Sequence, residues 1–517
     1  LRLIGKIFGI VFALLIAVVI GVFFWISDAN RLKPELALLI QQNSEYTIQF
    51  NGDLAWALWP PISLTVEDLV AESKDKTDPQ TITAGRIEAK LDLSAIWQDV
   101  DKWQVTRLNV TRATITDDTG TTTIPQFELA NFRPGEPAKF SAVIEQPGTD
   151  PITTAKLSGQ LTYWLADDGQ PDRIALKNTK VVADDLTAVC EADITENANA
   201  PQKIPKPAAD ALLPSDTLLE YDFTTQCTIS SLTVGTETFT SGRLDATNVN
   251  GKVNANLNIK DFLGGSLVSD VDINTRAKPM TWHILPQIKD VDSQRLLDWS
   301  QQKLQWVALI GLNSSIRMTG NTTQQLMNSI KAQSDFDGGQ GQLNISKIKT
   351  QLMQLAALGQ KQDDVTKWPD VWDYKSFTGN WVMEGQKHAL KFALDNMSVK
   401  ADGIYDLAAD NLDFLANVTI HEAQESTPFK INPLLQGTAI PIRCKGPSAD
   451  PKCKLDENAA KNLIAKAFQR GDDSGLRKKL ETKIDDEVPE QYRETARSLL
   501  DILGRSLEGK EKEKEAE

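Results

Sequence analysis

From Glu45 onward the chain alternates apolar and polar residues, and this period of two constrains its fold more than any other feature. Ile87, Ala89, Leu91 and Leu93 alternate with Glu88, Lys90 and Asp92. Val253, Ala255, Leu257 and Ile259 alternate with Asn254, Asn256 and Asn258. Leu412, Phe414, Ala416, Val418 and Ile420 do the same with largely polar partners. Successive side chains of a strand point to opposite faces, so each run carries one apolar and one wet face. That is the mark of antiparallel strands buried on one side, since parallel α/β sheets read as continuous apolar runs. Asp117-Asp118-Thr119-Gly120, Asp167-Asp168-Gly169, Asn250-Gly251 and Asp337-Gly338-Gly339 supply residues tolerant of positive φ and predict hairpins between strands.

A long one-sided sheet has two uses for its apolar face. It packs on a second sheet as a sandwich about 10 Å thick, or it curls into a gutter whose lining is completed by something else apolar. On physics alone the sandwich is the default, because exposed apolar patches are uncommon.

Ile7 to Ile26, IFGIVFALLIAVVIGVFFWI, is uncharged and long enough at about 1.5 Å per residue to cross a bilayer core of roughly 30 Å. The apolar part of a secretory signal is shorter, about 7–15 residues, so the stretch reads as a retained anchor. Arg2 and Lys6 before it, against Arg31 and Lys33 after it, lean towards a cytoplasmic N-terminus. Asn30 to Gln42 then places Leu32, Leu36, Leu39 and Ile40 at helical spacing, predicting a short amphipathic helix at the membrane face or against the following sheet.

Residues 197–214 contain four prolines and little periodicity, and read as an exposed loop or seam. Helical patterning is expected over 292–307, 322–332 and 345–358, and again from Asp456, where Tyr492, Ala496, Leu499, Leu500, Leu503 and Leu507 keep an apolar stripe. The final GKEKEKEAE is a solvated tail by composition.

The net charge of -15 argues against a nucleic-acid partner, which needs a cationic footprint. The four cysteines permit three connectivities; short loops favour Cys190–Cys227 and Cys444–Cys453, bridges that imply an oxidising compartment. The competing reading is four buried thiols. His283, His388 and His421 stand isolated on strand-like segments, so no metal site is expected. No GxSxG elbow, P-loop or GxGxxG fingerprint occurs, and Gly338-Gly339-Gln340-Gly341 lacks the helix start and Lys of a phosphate loop and reads as a turn. No enzyme activity and no cofactor is expected.

Two stretches carry a family resemblance. In residues 27–73 a helix after the anchor leads to Gly52, Asp53, Leu54 and Trp56, then Pro60 and an alternating strand. In residues 437–456, Ile440, Pro441, Ile442, Arg443, Gly446, Asp450 and Pro451 form an IPIR–Gly–DP pattern. Both resemble the AsmA family, as do the strand turn at Phe262 to Gly265 with Asp272 and the junction from Ser329 to Gly341. Asn43-Ser44-Glu45, standing where a Thr-Gly turn is usual, and the Cys444/Cys453 pair are departures. The resemblance implies a Gram-negative inner-membrane protein facing the periplasm, built as a long β-groove of the bridge-like lipid-transfer kind and tied to phospholipid movement and outer-membrane homeostasis.

The expectation is therefore a mainly β protein: an N-terminal transmembrane helix followed by a long, curled antiparallel β-sheet groove, a few amphipathic helices and a helical C-terminus. The divisions expected are 1–27 stub and anchor, 28–43 amphipathic helix, 44–196 first part of the groove, 197–214 loop, 215–456 second part of the groove, 457–508 helices and 509–517 tail. Phospholipids and the inner membrane are the expected partners, with the outer membrane or one of its proteins at the far end. The candidate lining is Ile87, Leu91, Leu93, Val253, Leu257, Ile259, Leu267, Val271, Phe392, Leu394, Leu412, Phe414 and Val418, each with ordinary core packing as its competing role. The rival function is a scaffold for outer-membrane proteins that captures partner strands at sheet edges.

Overall fold

A computed structural model describes residues 44–57, 62–74, 79–92, 104–117, 120–146, 153–166, 171–201, 210–346, 369–406, 409–421, 439–448 and 450–456, with isolated positions outside those runs. Ile7 to Ile26, Leu93, Pro60, most of 345–358, the helices expected over 457–508 and the 509–517 tail lie outside the described residues. Among the described residues no helix is long and apolar enough to cross a membrane. Lys33, Pro34, Ala37, Leu38 and Gln41, inside the 30–42 segment, have helical backbone.

The described residues hold 23 strands, β1 to β23, in antiparallel sheet that is not closed. They divide into two compact units. Residues 1–260, 270–282 and 320–323 form the first; 261–269, 283–319 and 324–517 form the second. The 197–214 stretch lies within the first unit. Its last residues lead into α1 (Ser215–Glu220), a helix the sequence pattern does not announce.

In the first unit β1 (Tyr46–Phe50) and β2 (Leu54–Ala57) both pair with β3 (Ile62–Ser73). From there each strand pairs with the next: β4 (Thr81–Asp92), β5 (Gln104–Asp117), β6 (Gly120–Phe132), β7 (Ala138–Gln146), β8 (Thr153–Leu165), β9 (Pro171–Ala183), β10 (Leu186–Glu196), β11 (Tyr221–Val234) and β12 (Glu237–Val249). The connector from β1 to β2 explains the Gly52-Asp53-Leu54 signature. Gly52 N–H donates to the Glu67 carbonyl and Glu67 N–H donates to the Asp53 carbonyl, at 3.2 and 3.1 Å. A Cβ on Gly52 would stand 2.7 Å from the Glu67 carbonyl oxygen, so only glycine lets the two backbones approach this closely. Leu54 is buried behind that contact. The motif is therefore a folding device at the sheet edge.

β13 (Lys252–Phe262) follows the Asn250-Gly251 turn, where both residues have positive φ as the sequence predicts. Leu263-Gly264 makes the same kind of two-residue turn into β14 (Gly265–Asn274), followed by β15 (Thr281–Asp292).

In the second unit α2 (Ser293–Trp299) is capped by the Asp292 carboxylate, which accepts from Gln294 and Arg295 N–H. The helix expected over 292–307 thus stops at Trp299, and Trp306 opens β16 (Trp306–Thr319). Ser293 Oγ, donating to the Trp306 carbonyl and accepting from Ala308 N–H, ties the strand back across the helix. The helix expected over 322–332 is likewise shortened to α3 (Thr323–Ser329), because Lys331 onward pairs in the sheet. A ladder then runs through β17 (Lys331–Asn344), β18 (Val371–Glu384), β19 (Lys387–Leu394), β20 (Met397–Asp406), β21 (Asn411–Ile420), β22 (Ala439–Gly446) and β23 (Lys452–Leu455).

Asp337-Gly338-Gly339 is not a hairpin turn. It is a bulge inside β17, with Gly339 at φ 50 and its N–H donating to Asp337 Oδ1 at 2.8 Å. Aromatic packing holds the segment in the sheet: a Cβ on Gly338 would lie 2.7 Å from the Phe377 ring and 3.0 Å from that of Trp306, and Tyr374 Oη donates to the Gly338 carbonyl.

Candidate lipid-binding face

Strand register converts the alternation of single strands into continuous stripes. In the first unit Val66, Ile87, Val110, Phe127, Ala142, Leu157, Val181, Ala188, Ile229 and Gly242 are successive cross-strand partners from β3 to β12. Every one is apolar. One residue away on each strand, Thr65, Glu88, Asn109, Glu128, Ser141, Ser158, Lys180, Val189, Thr228 and Arg243 form the matching stripe on the other face, and only Val189 is apolar. At about 4.8 Å between strands, the apolar stripe extends on the order of 40 Å across the strands.

Burial varies along it. Val66, Ile87, Ala188 and Ile229 are buried, whereas Val110, Phe127, Ala142, Leu157 and Val181 between them are half-buried. The ends of the stripe are thus packed, and its middle keeps accessible apolar surface. Ile87 belongs to the cluster that runs from Tyr46 to Ile174.

The second unit repeats the arrangement across six strands. Phe336, Gly379, Phe392, Val399, Val418 and Ile440 are successive partners from β17 to β22, and the stripe beside them reads Asp335, Asn380, Lys391, Lys400, Asn417 and Pro441. Glycines on this face are overlain by neighbouring rings. A Cβ on Gly379 would collide with Phe336, and one on Gly403 with Phe414. The rings lie across bare backbone and widen the apolar surface. Phe377 joins them edge-on, with Phe336, Phe392 and Trp306 at centroid distances of 5.3, 5.4 and 5.2 Å.

The wet face carries charge pairing instead. Asp413 accepts from Arg443 Nε and Nη2 at 2.8 and 2.9 Å, and Lys445 Nζ stands 2.9 Å away. The Arg443 guanidinium, then Lys445, hold the Asp413 carboxyl down at about 2. Arg443, from the C-terminal signature, therefore braces β21 against β22, while Ile440 and Ile442 of the same signature are buried on the opposite face. Gly446 has φ 115 at the end of β22, and Asp450 N–H donates to the Pro447 carbonyl in the turn before Pro451 and β23.

Both cysteine pairs sit at bonding distance on the apolar side. Cys190 faces Cys227 across β10 and β11, two residues along from the Ala188–Ile229 pair, and Cys444 faces Cys453 across β22 and β23. Their Cα–Cα distances of 4.1 and 4.0 Å belong to directly opposed cross-strand positions.

The lining candidates fall into three groups. Leu257, Leu267, Val271, Phe392, Leu412 and Phe414 are half-buried and present surface; Ile87, Val253, Ile259, Leu394 and Val418 are buried in packing. Val253 and Val271 pack with Leu218 of α1, Ile273 and Met280. Leu93 and the side chain of Leu91 lie outside the described residues, as does the side chain of Trp56. Sequence reading missed Val110, Phe127, Ala142, Leu157 and Val181, whose local alternation is present but whose alignment depends on register. Among the described residues no group of three or more His, Cys, Asp or Glu side chains could hold a metal ion.

Residues 2–156 match the model of the AsmA family. That region is similar to the AsmA family. The AsmA match takes in β1 to β7 and the start of β8, and with them the Gly52-Asp53-Leu54 connector and the first half of the ten-strand stripe. The Ile440 to Pro451 signature lies beyond the AsmA match. No curated protein and no solved structure matches the chain.

Proposed function

We propose that the chain carries phospholipids between an inner and an outer membrane, with acyl chains lying along the apolar stripe while head groups stay in water at the strand ends. The observation that carries this reading is the ten-strand apolar stripe with its half-buried middle. At about 0.8 kcal/mol per buried CH₂, an acyl chain leaving a bilayer needs an unbroken apolar floor, because each polar interruption is a barrier. The stripe supplies such a floor without a charged residue, and the AsmA match supports the membrane setting. Ile7 to Ile26 then anchors one end at a lipid source, N-terminus in the cytoplasm and body in the periplasm, and transfer needs no covalent chemistry.

Strand capture at sheet edges is the weaker reading. β2 and β23 have four residues each, and β23 carries Lys452 and Lys454, features that blunt an edge.

The test is photo-crosslinking in cells, with benzoylphenylalanine placed at Val110, Phe127 or Leu157 and, as controls, at Asn109, Glu128 or Ser158. Lipid adducts at the first three and not at the controls support the reading. Adducts to protein alone at all six sink it.

A further inference from the structure

His388 is a polar group set into the apolar face of the second unit. It is the second residue of β19, opposite Met383 on β18 and Gly403 on β20, and it shares its face with Leu390, Phe392 and Leu394. It is only 5% exposed, and burial pushes its imidazole below the ordinary value. The rings of Tyr405 and Phe414 stand tilted against it at 6.0 Å, and that of Trp381 is stacked at 5.6 Å.

The hydrogen bonding sets the tautomer. Trp381 Nε1–H donates to His388 Nδ1 at 3.1 Å; an indole nitrogen can only donate, so Nδ1 is the acceptor and the ring proton sits on Nε2. Nε2 is buried and has no acceptor among the described residues. The Tyr405 hydroxyl donates elsewhere, to Asp410 Oδ1 at 3.0 Å. A buried donor without a partner is costly, and native structures keep only a few such groups.

Position indicates what would accept from it. His388 lies three residues past Gly385 in the β18–β19 turn, close to the ends of the strands, and Trp381 beside it remains 41% exposed. Inward from His388 this face of β19 continues through Leu390, Phe392 and Leu394 and is wholly apolar, Lys391 lying on the opposite face. A ligand fitting both features has a hydrocarbon chain joined to a hydrogen-bond acceptor near its polar end. We propose that His388 Nε2–H binds the ester carbonyl oxygen of a diacyl lipid, fixing how far the acyl chain enters the face. This deepens the lipid-transfer reading and rests on it.

The intact chain in detergent is offered equal amounts of dioleoylphosphatidylglycerol and its di-O-oleyl ether analogue, which lacks both carbonyls, and bound lipid is counted by native mass spectrometry. The wild-type chain prefers the ester by about fivefold, the scale of one neutral hydrogen bond. In H388F the preference disappears while total bound lipid is kept, and H388Q, which retains an N–H donor, recovers part of it. A second readout needs no variant: the infrared band of a carbonyl-13C-labelled lipid shows a hydrogen-bonded ester when bound to the wild-type chain. Equal binding of the two lipids by the wild type, an unchanged preference in H388F, or an unbonded ester band overturns the assignment while the groove reading stands. Binding of neither lipid overturns both, as when another part of the chain already covers this face.

Discussion

Ala142→Arg places a guanidinium in the middle of the ten-strand stripe, between Phe127 on β6 and Leu157 on β8. Ala142 is half-buried and small, so the substitution removes little packing, and a long Arg stem can lie along the face with its head in water. The fold should tolerate it with a loss of about 1 kcal/mol, a fall of roughly 2–4 °C in Tm. Transport should not. An acyl chain lifting about four or five methylenes off the floor to pass the charge forfeits about 3–4 kcal/mol at ~0.8 kcal/mol each. If that step limits transfer, the rate drops by about 200- to 800-fold, at roughly 1.4 kcal/mol per tenfold. The assay is transfer of a fluorescent phospholipid between donor and acceptor vesicles bridged by the intact chain, with Ser141→Arg on the opposite face as the matched control. Normal transfer by Ala142→Arg, or an equal loss in Ser141→Arg, would refute the claim that this stripe is the path.

Replacing both Cys190 and Cys227 by Ala should cost about 4 kcal/mol of stability, and replacing Cys444 with Cys453 about 2.6 kcal/mol, from the 37- and 9-residue separations they close. Denaturant melts of the two double variants check the order. Asp413, held at about 2 against an unfolded-chain value near 3.9, contributes stability that is fully present above the higher value and is lost as the pH falls through the lower one. Its 38% exposed carboxylate limits the effect to about 1 kcal/mol or less, and Asp413→Asn should flatten the acid limb of the stability curve between pH 4 and 2. Gly52→Ala forces a Cβ against the Glu67 carbonyl and should loosen β1 and β2 first, seen as faster amide exchange there than in β5 or β6. Exchanging residues 7–26 for a cleavable signal should leave a folded body that no longer moves lipid; normal transport by the released body would reduce the anchor to mere retention.

How much of this was legible in the sequence depends on the range of the interaction. Alternation within a strand is local, so Ile87 with Ala89, and Phe414 with Val418, announce a one-sided sheet directly. Their alignment across strands is not local. It depends on bulges such as the shifts between Lys90 and Leu91 and between Thr123 and Gln126, which move a partner by a residue and so decide which stripe a side chain joins. Gly338 to Gly341 reads as a turn because glycine is common in turns; Trp306 and Phe377, brought over Gly338 by the strands on either side, hold it as a bulge. Leu304 and Trp306 fit a helical period with Leu296 and Leu297, yet strand pairing claims Trp306. The cysteine pairs were readable because close partners in sequence form adjacent strands. His388 looked isolated because Trp381, Tyr405 and Phe414, 7, 17 and 26 residues away, meet it only through register.

The central claim, that the apolar face of this sheet holds lipid, is tested most directly by what the intact chain carries when it leaves the membrane. The chain is extracted in mild detergent, stripped of loosely associated lipid by gel filtration, and examined by native mass spectrometry. The account predicts diacyl phospholipid retained by the wild-type chain and reduced by Ala142→Arg but not by Ser141→Arg. A wild-type chain that emerges folded and free of lipid, and takes up none when phospholipid is added back, would contradict it.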